Sequence, residues 1–349
     1  MTREVVIVGG ARTPMCEYVG TPGYGKFKDV SAIDLCVHAS KAAIARAQVD
    51  PESIEHVVVG NALQTSADAI YGARHVGLKS GLPQGTPALT VNRLCGSGIQ
   101  SVVDAARMIR TGEATTDLAG GMENMSQAPY VLYGARQGFP FGQAPQMQDL
   151  LFASLMDPVA GLYMAQTAEK LAKRLGVSRQ EQDEYALRSH RLGAAAVTEG
   201  RFGEEIEPFV LETRKGPVTV ATDDHIKPDT SLEALSKLRA AFGKDGTVTA
   251  GNASGIVDGA AALVLTTRER AEADKLDDWA VVRAWGITGV DPQEMGIGPV
   301  PAIRRCLDTA GVALDDVDLI EINEAFSAQY LACEKELGLD RERCNVNGG

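Results

Sequence analysis

The sequence predicts an α/β protein built from two similar halves, with a segment of different character set into the first. Three observations carry that reading. Short apolar runs alternate with amphipathic ones over most of the 349 residues, a stretch near the start recurs near the end, and residues 121–250 break the alternation.

The strand-like runs are 4–8, 56–59, 88–91, 117–120, 260–266, 279–285 and 317–322, each a compact apolar block of strand length. Helical runs are expected at 31–47, 69–79, 97–111, 300–310 and 325–337. In the third of these, Ile99, Val102, Val103, Ala106 and Ile109 form one face and Gly112 supplies a stop. From Gly134 to Gln148 the chain is rich in Gly, Pro and Gln; helical runs at 161–175 and 179–198 follow, and then polar, turn-rich sequence. An inserted loop domain is the economical interpretation. The expected organisation is 1–120 plus 251–270 as the first half, 121–250 as the insertion and 271–349 as the second half.

The repeat aligns Val49 to Leu63 with Val312 to Phe326 without gaps. Each copy follows a helix, turns through acidic residues and enters an apolar strand, the pattern of a duplicated α/β unit. After the first copy, the next strand leads through Val91-Asn92 to Cys95. After the second, Val346-Asn347 leads to Gly348-Gly349. The counterpart of Cys95, with its helix and at least one strand, is therefore expected beyond residue 349.

Composition narrows the function. The chain is 44% hydrophobic with a net charge of -12, an ordinary globular balance that disfavours nucleic acid or an anionic membrane as partner. No apolar run approaches the roughly 18 residues of a membrane span. Met1 to Val8 pass directly into a strand, so neither signal nor transit segment is expected, and the cytoplasm is the simplest location. The six cysteines, at 16, 36, 95, 306, 333 and 344, show no metal-like spacing and fit reduced thiols. Cys36, Cys306 and Cys333 fall on helical runs and suit packing.

Cys95 is different. It stands between the strand-like run ending at Val91 and the first turn of the helical run from Ser97. Unpaired N–H groups and the helix dipole favour an anion there and offer donors to a developing oxyanion. Gly96 and Gly98 leave room for a bulky thioester. A small buried hydrophobe would satisfy the local pattern as well.

At this point six motifs occur together: Gly10-Ala11-Arg12-Thr13-Pro14, Asn92-Arg93-Leu94-Cys95-Gly96-Ser97-Gly98, Gly120-Gly121-Met122-Glu123-Asn124-Met125-Ser126, Gly251-Asn252-Ala253-Ser254-Gly255, Asn323-Glu324-Ala325-Phe326 and Asn345-Val346-Asn347-Gly348-Gly349. In this order they resemble the thiolases, the acetyl-CoA acetyltransferase and 3-ketoacyl-CoA thiolase group, from Val5 to Gly349. The resemblance implies a layered αβαβα fold with a loop domain covering coenzyme A. It also implies a homodimer or homotetramer that uses coenzyme A as substrate and needs no metal or redox cofactor.

By the same resemblance, Cys95 becomes acylated and hands its acyl group to coenzyme A or to the enolate of acetyl-CoA. The N–H of Cys95 then belongs to one oxyanion hole, and the side chain of Asn323 positions a water in a second. Read locally, Asn323 equally suits a helix N-cap before Ala325 to Leu337. Ser254 is expected on the pantetheine arm, Ala250 and Phe242 along its path, Met164 and Met295 with Tyr163 near the acyl end, and Lys227 near the nucleotide. Core packing is the rival role for Phe242, Met164 and Met295, and a solvated surface for Lys227.

Departures from the family pattern bear on specificity. Tyr163-Met164-Ala165 stands where short-chain members read His-Met-Gly, and Val257 where many carry Asn. The family's Gly-His-Pro histidine and late cysteine have no match among His38, His56, His75, His190 and His225, so the base for Cys95 is expected past residue 349. A 3-oxoacyl synthase shares fold and nucleophile, but by resemblance has histidine where Asn323 stands. A non-catalytic coenzyme A-binding or scaffold homologue is the remaining alternative.

Overall fold

The computed structural model describes residues 3–18, 25–243 and 245–349. They form two compact units, each assembled from three pieces of chain. Unit 1 comprises Met1–Leu151, Gly203–His225 and Ile256–Arg283; unit 2 comprises Phe152–Phe202, Ile226–Gly255 and Ala284–Gly349.

Unit 1 is organised by a mixed sheet containing β1 (Val5–Arg12), β2 (Cys16–Glu17), β3 (His56–Gly60), β4 (Ala88–Val91), β5 (Thr116–Glu123), the long strand Val257–Thr267 and the short strand Ala280–Val281. In space the order is Ala280–Val281, β1, the long strand, β5, β3, β4, with β2 pairing the start of the long strand. β3 runs parallel to β4 and β5, whereas the long strand is antiparallel to both β1 and β5. Its central place explains its near-continuous burial and its run of Ala, Leu and Val in place of apolar-polar alternation. The helix Ala32–Ala47 lies on this sheet so closely that a Cβ at Gly9 would meet the Cβ of Ala47 at 2.5 Å. Ser31 caps the helix at one end and Gln48, at φ 54°, closes the other.

Unit 2 is mainly helical: Met164–Leu175, Arg179–Thr198, Pro299–Ala310 and Ser327–Leu337, with the 3-10 turn Pro292–Ile297 and a short hairpin of Met156–Asp157 with Leu162–Tyr163. Its core gathers Ala168, Ala172, Tyr185, Val300, Ile322, Tyr330 and Leu331. The 3-10 turn packs against the first and last of these helices, where a Cβ at Gly296 would press on Leu171 and Gln329.

Several expectations are corrected. Residues 121–250 do not form one inserted body, because 121–151 and 203–225 join unit 1 and the rest join unit 2. The hairpin of Phe209–Thr213 with Gly216–Val220 explains part of this: Phe209, Leu211 and Val220 complete the apolar core of unit 1. The strand expected at 279–285 shortens to Ala280–Val281, since the chain leaves unit 1 after Arg283. The strand expected at 317–322 is a single parallel bridge between Ile320 and Cys344. Pairing stops there because the side chain of Asn345 takes both the N–H and the carbonyl of Ile322. Like β3 with β4, the two segments that follow the repeat pair in parallel, one residue out of step with Val57 and Ala88.

Candidate functional site

Unit 1 carries Cys95. Between the end of β4 and the helix Ser97–Thr111, the chain turns through residues 92–96, with Leu94 in the left-handed region at φ 48°. Side chains on either side hold that conformation. The Leu94 N–H donates to Asn92 Oδ1 at 2.9 Å, and its carbonyl accepts from Ser97 Oγ at 2.6 Å. Ser97 Oγ in turn accepts from the Arg93 N–H at 2.8 Å. Asn92 Nδ2 donates to the Ala62 carbonyl at 3.0 Å, and the N–H groups of Ala62 and Leu63 donate to the Glu123 carboxylate at the end of β5. The nucleophile loop is thus tied to the ends of two central strands.

Two glycines let the helix start come this close. A Cβ at Gly60 would lie 2.5 Å from the carbonyl carbon of Ser97, and one at Gly121 would lie 3.3 Å from the Cα of Gly98. No side chain caps the helix at Gly96; the N–H groups of Gly96 and Ser97 donate instead to the carbonyls of Arg93 and Leu94, each at 3.0 Å. Cys95 is exposed, whereas Cys16, Cys36, Cys333 and Cys344 are buried and Cys306 is half-buried. Burial pushes the thiols of Cys16 and Cys36 up to about 12 and that of Cys333 to about 11, so these remain protonated at neutral pH.

The other expected residues lie in unit 2. Asn323 is exposed and is not a helix cap: the helix starts at Ser327, with Phe326 at its N-cap and no side-chain cap bond. Residues 325 and 326 are engaged elsewhere. Ala253 bridges Phe326, the Ser254 N–H donates to the Ala325 carbonyl at 3.0 Å, and the Ser327 N–H donates to the Asn252 carbonyl. Exposed Ser254 is thereby tied to the segment that carries Asn323. Ala250 is exposed on the turn just before, which buried Asn252 stabilises by accepting from the Thr249 N–H and donating to Asp183 and the Thr247 carbonyl.

Tyr163 and Phe242 are half-buried, with ring centroids 5.9 Å apart, and Tyr163 also meets Phe152 at 4.7 Å. Met164 opens the helix that Tyr163 precedes, and Met295 lies on the 3-10 turn packed against that helix. Phe242 also packs on the core of unit 2, so it carries part of the packing role that rivalled its functional one. Lys227 is exposed, and its N–H donates to His190 Nδ1. A cavity of about 510 Å³ in the same unit, lined by Arg179, Gln180, Asp183, Leu232, Glu233 and Ser236, contains none of the expected residues.

Other motif residues build structure. Arg12 meets Asp223 through two nitrogens at 2.7 and 2.8 Å and also reaches Glu205, stapling β1 to the segment that includes residues 205–223. Asn124 Nδ2 donates to the carbonyls of Phe27 and Val30. The supporting roles of Asn92, Ser97 and Glu123 were not foreseen. For Asn92 and Ser97 the available signal is local: polar residues placed three before and two after Cys95, where they can hydrogen-bond the backbone between them.

Comparison with known proteins gives the family. Residues 5–269 match the family model "Thiolase, N-terminal domain" and residues 276–349 match "Thiolase, C-terminal domain". Human mitochondrial 3-ketoacyl-CoA thiolase is 47% identical over 349 residues, which cover 100% of this chain and 87% of that protein. The acetyl-CoA acetyltransferase of Escherichia coli is 46% identical, covering 99% and 87%. The crystal structure of the human enzyme superposes with a TM-score of 0.96 at 48% identity, covering 99% of this chain and 87% of that one. A second structure of it, in complex with CoA, gives 0.95 at 47% identity, covering 99% and 86%. The mixed α/β architecture is therefore the thiolase fold, and the chain belongs to the thiolase family.

Proposed function

We propose that the protein is an acyl-CoA C-acyltransferase that works through acyl-Cys95. In the degradative direction, the Cys95 sulfur attacks the 3-oxo carbon of a 3-oxoacyl-CoA. The C2–C3 bond then breaks, and the departing acetyl-CoA enolate takes up a proton. The sulfur of coenzyme A next attacks the acyl-Cys95 carbonyl, releasing a shortened acyl-CoA and the free cysteine. Synthesis is the reverse, a Claisen condensation. The observation that carries this reading is the exposed thiol at the uncapped start of the helix Ser97–Thr111, on a loop held from both sides.

Asn323 is proposed to position the water that receives the thioester oxygen as the enolate forms, and the Cys95 N–H to serve the acyl-transfer oxyanion. Ser254, Ala250 and Phe242 are assigned to the pantetheine path, Tyr163, Met164 and Met295 to the acyl end, and Lys227 to the nucleotide. The relative solved with CoA supports coenzyme A as the substrate. A homodimer or homotetramer is proposed as well, supported by the free outer edge of β4 and its exposed Leu89. A cytoplasmic location is proposed on the reading of reduced thiols. The human relative carries a mitochondrial name, so fractionation of the producing cells decides between the two, as light scattering does for the assembly.

The central test is acylation. The full-length protein is incubated with acetyl-CoA or acetoacetyl-CoA and then digested, and the added acyl mass should map to the peptide containing Cys95. Cys95→Ser should abolish the label and lower turnover by about 10³-fold or more. An unlabelled Cys95 would refute the assignment.

A further inference from the structure

The motif Asn345 to Gly349 has no part in the reaction as assigned, yet it touches the residues on either side of Asn323. Asn345 is fully buried and holds the left-handed φ of 46°. Its amide makes a two-point clamp on the residue before Asn323: Oδ1 accepts from the Ile322 N–H at 2.9 Å, and Nδ2 donates to the Ile322 carbonyl at 2.8 Å. The same Nδ2 donates at 2.7 Å to Oε1 of Glu324, the residue after Asn323. Glu324 Oε1 also accepts from the hydroxyl of Tyr185 at 2.5 Å. Tyr185 is itself 1% exposed and stacked on Tyr330, with centroids 4.2 Å apart.

Both neighbours of the exposed Asn323 are thus held by buried hydrogen bonds. The glycines of the motif follow from the same arrangement. A Cβ at Gly349 would lie 2.7 Å from both Glu324 Cδ and Asn345 Nδ2, and one at Gly348, where φ is 82°, would lie 2.6 Å from the Ser189 carbonyl oxygen. Only residues without side chains can close over this network. The Asn345 side chain satisfies both backbone groups of Ile322 without a strand partner, and the next residue, Asn323, is exposed.

We propose that Asn345, acting with Tyr185 on Glu324, is a positioning residue that sets the angle at which the Asn323 amide holds the water that meets the enolate oxygen. This rests on the role assigned to Asn323 above. Displacing an oxyanion donor by about 1 Å costs on the order of 10²-fold in rate. That loss should fall on the step that forms the enolate and spare the acylation of Cys95.

The experiment compares Asn345→Asp, Tyr185→Phe and Asn323→Ala with the wild type in the full-length protein. Two readouts are used: deuterium exchange at C2 of acetyl-CoA in D₂O, which reports enolate formation, and the rate of Cys95 acylation by acetyl-CoA. Asn345→Asp keeps the acceptor to Ile322 but replaces the donor with a carboxylate facing Glu324. Exchange should fall about 100-fold in Asn345→Asp and about tenfold in Tyr185→Phe, with acylation within about twofold of wild type in both. Combining Asn345→Asp with Asn323→Ala should add little to Asn323→Ala alone. Tyr185→Phe retains the stacked ring and guards against a misfolded Asn345 variant. Equal loss of exchange and acylation in Tyr185→Phe, or unchanged exchange in both variants, would overturn the positioning role. Absence of acylation in the wild type would instead refute the assignment of Cys95.

Discussion

Asp117 sits in β5 with no exposed surface, and neither of its carboxylate oxygens has a hydrogen-bond partner. Burial, reinforced by Glu55 and Glu113, pushes its carboxyl up to about 8. The unfolded chain releases this proton near pH 4, whereas the folded chain keeps it until pH 8. Asp117 therefore favours folding fully only below about pH 4, and its contribution declines as pH rises to 8. The slope is about 1.4 kcal/mol per pH unit. Its register partner on β3, His56, has its imidazole pushed down by burial and acts in the opposite sense. Because His56 is unchanged in Asp117→Asn, the difference between wild type and variant isolates Asp117. Urea unfolding from pH 4 to 9 should show Asp117→Asn gaining on the wild type up to pH 8 and level thereafter; a constant offset would refute this. Sequence exposes Asp117 only as a polar residue in an apolar strand. Its lack of a partner depends on β3 and the long strand, which pair with it from 61 and 148 residues away.

Among elements, the helices with a complete apolar face and a clear end were legible to the residue, as in Ser97–Thr111 and Arg179–Thr198. Elements set by distant partners were not. The strand expected around Ile320 carries Asp318 and Glu321 among its apolar residues, and its ladder is cut short by the side chain of Asn345, which lies outside residues 317–322. The site divides similarly: Cys95 is picked out by motif and helix context and Asn323 by motif alone, whereas the buried hydrogen bonds on either side of Asn323 join residues more than 20 and 130 positions apart. The docking of Ser97–Thr111 on β3 gives a direct test. Gly60→Ala adds a methyl 2.5 Å from the Ser97 carbonyl carbon, so the first helical turn must move. We expect a cost of about 1–3 kcal/mol in the denaturant midpoint, together with slower acylation and alkylation of Cys95. Wild-type stability and reactivity in this variant would mean that the close packing of Gly60 does not matter.

For the molecule as a whole, the two units have separate apolar cores, one built on Val6, Val8, Ile33, Leu35 and Val264, the other on Ala168, Tyr185, Ile322, Tyr330 and Leu331. A chain with two cores need not unfold in one step. Its two tryptophans make this measurable, because Trp279 lies in unit 1 and Trp285 in unit 2. With Trp285→Phe reporting unit 1 and Trp279→Phe reporting unit 2, the two fluorescence transitions in urea should have different midpoints. Coincident transitions in both variants, matching far-UV circular dichroism, would show the units to be one cooperative block.

The place of the long strand Val257–Thr267 has a consequence for biosynthesis. It lies between β1 and β5 at the centre of the sheet, and the other neighbour of β1, Ala280–Val281, comes later still. While the chain emerges from the ribosome, β1 waits for more than 240 residues with both flanks open, and β5 waits with one. Open apolar strand flanks are templates for wrong pairing. The nascent sheet therefore keeps open flanks until the strand that joins its halves has been made.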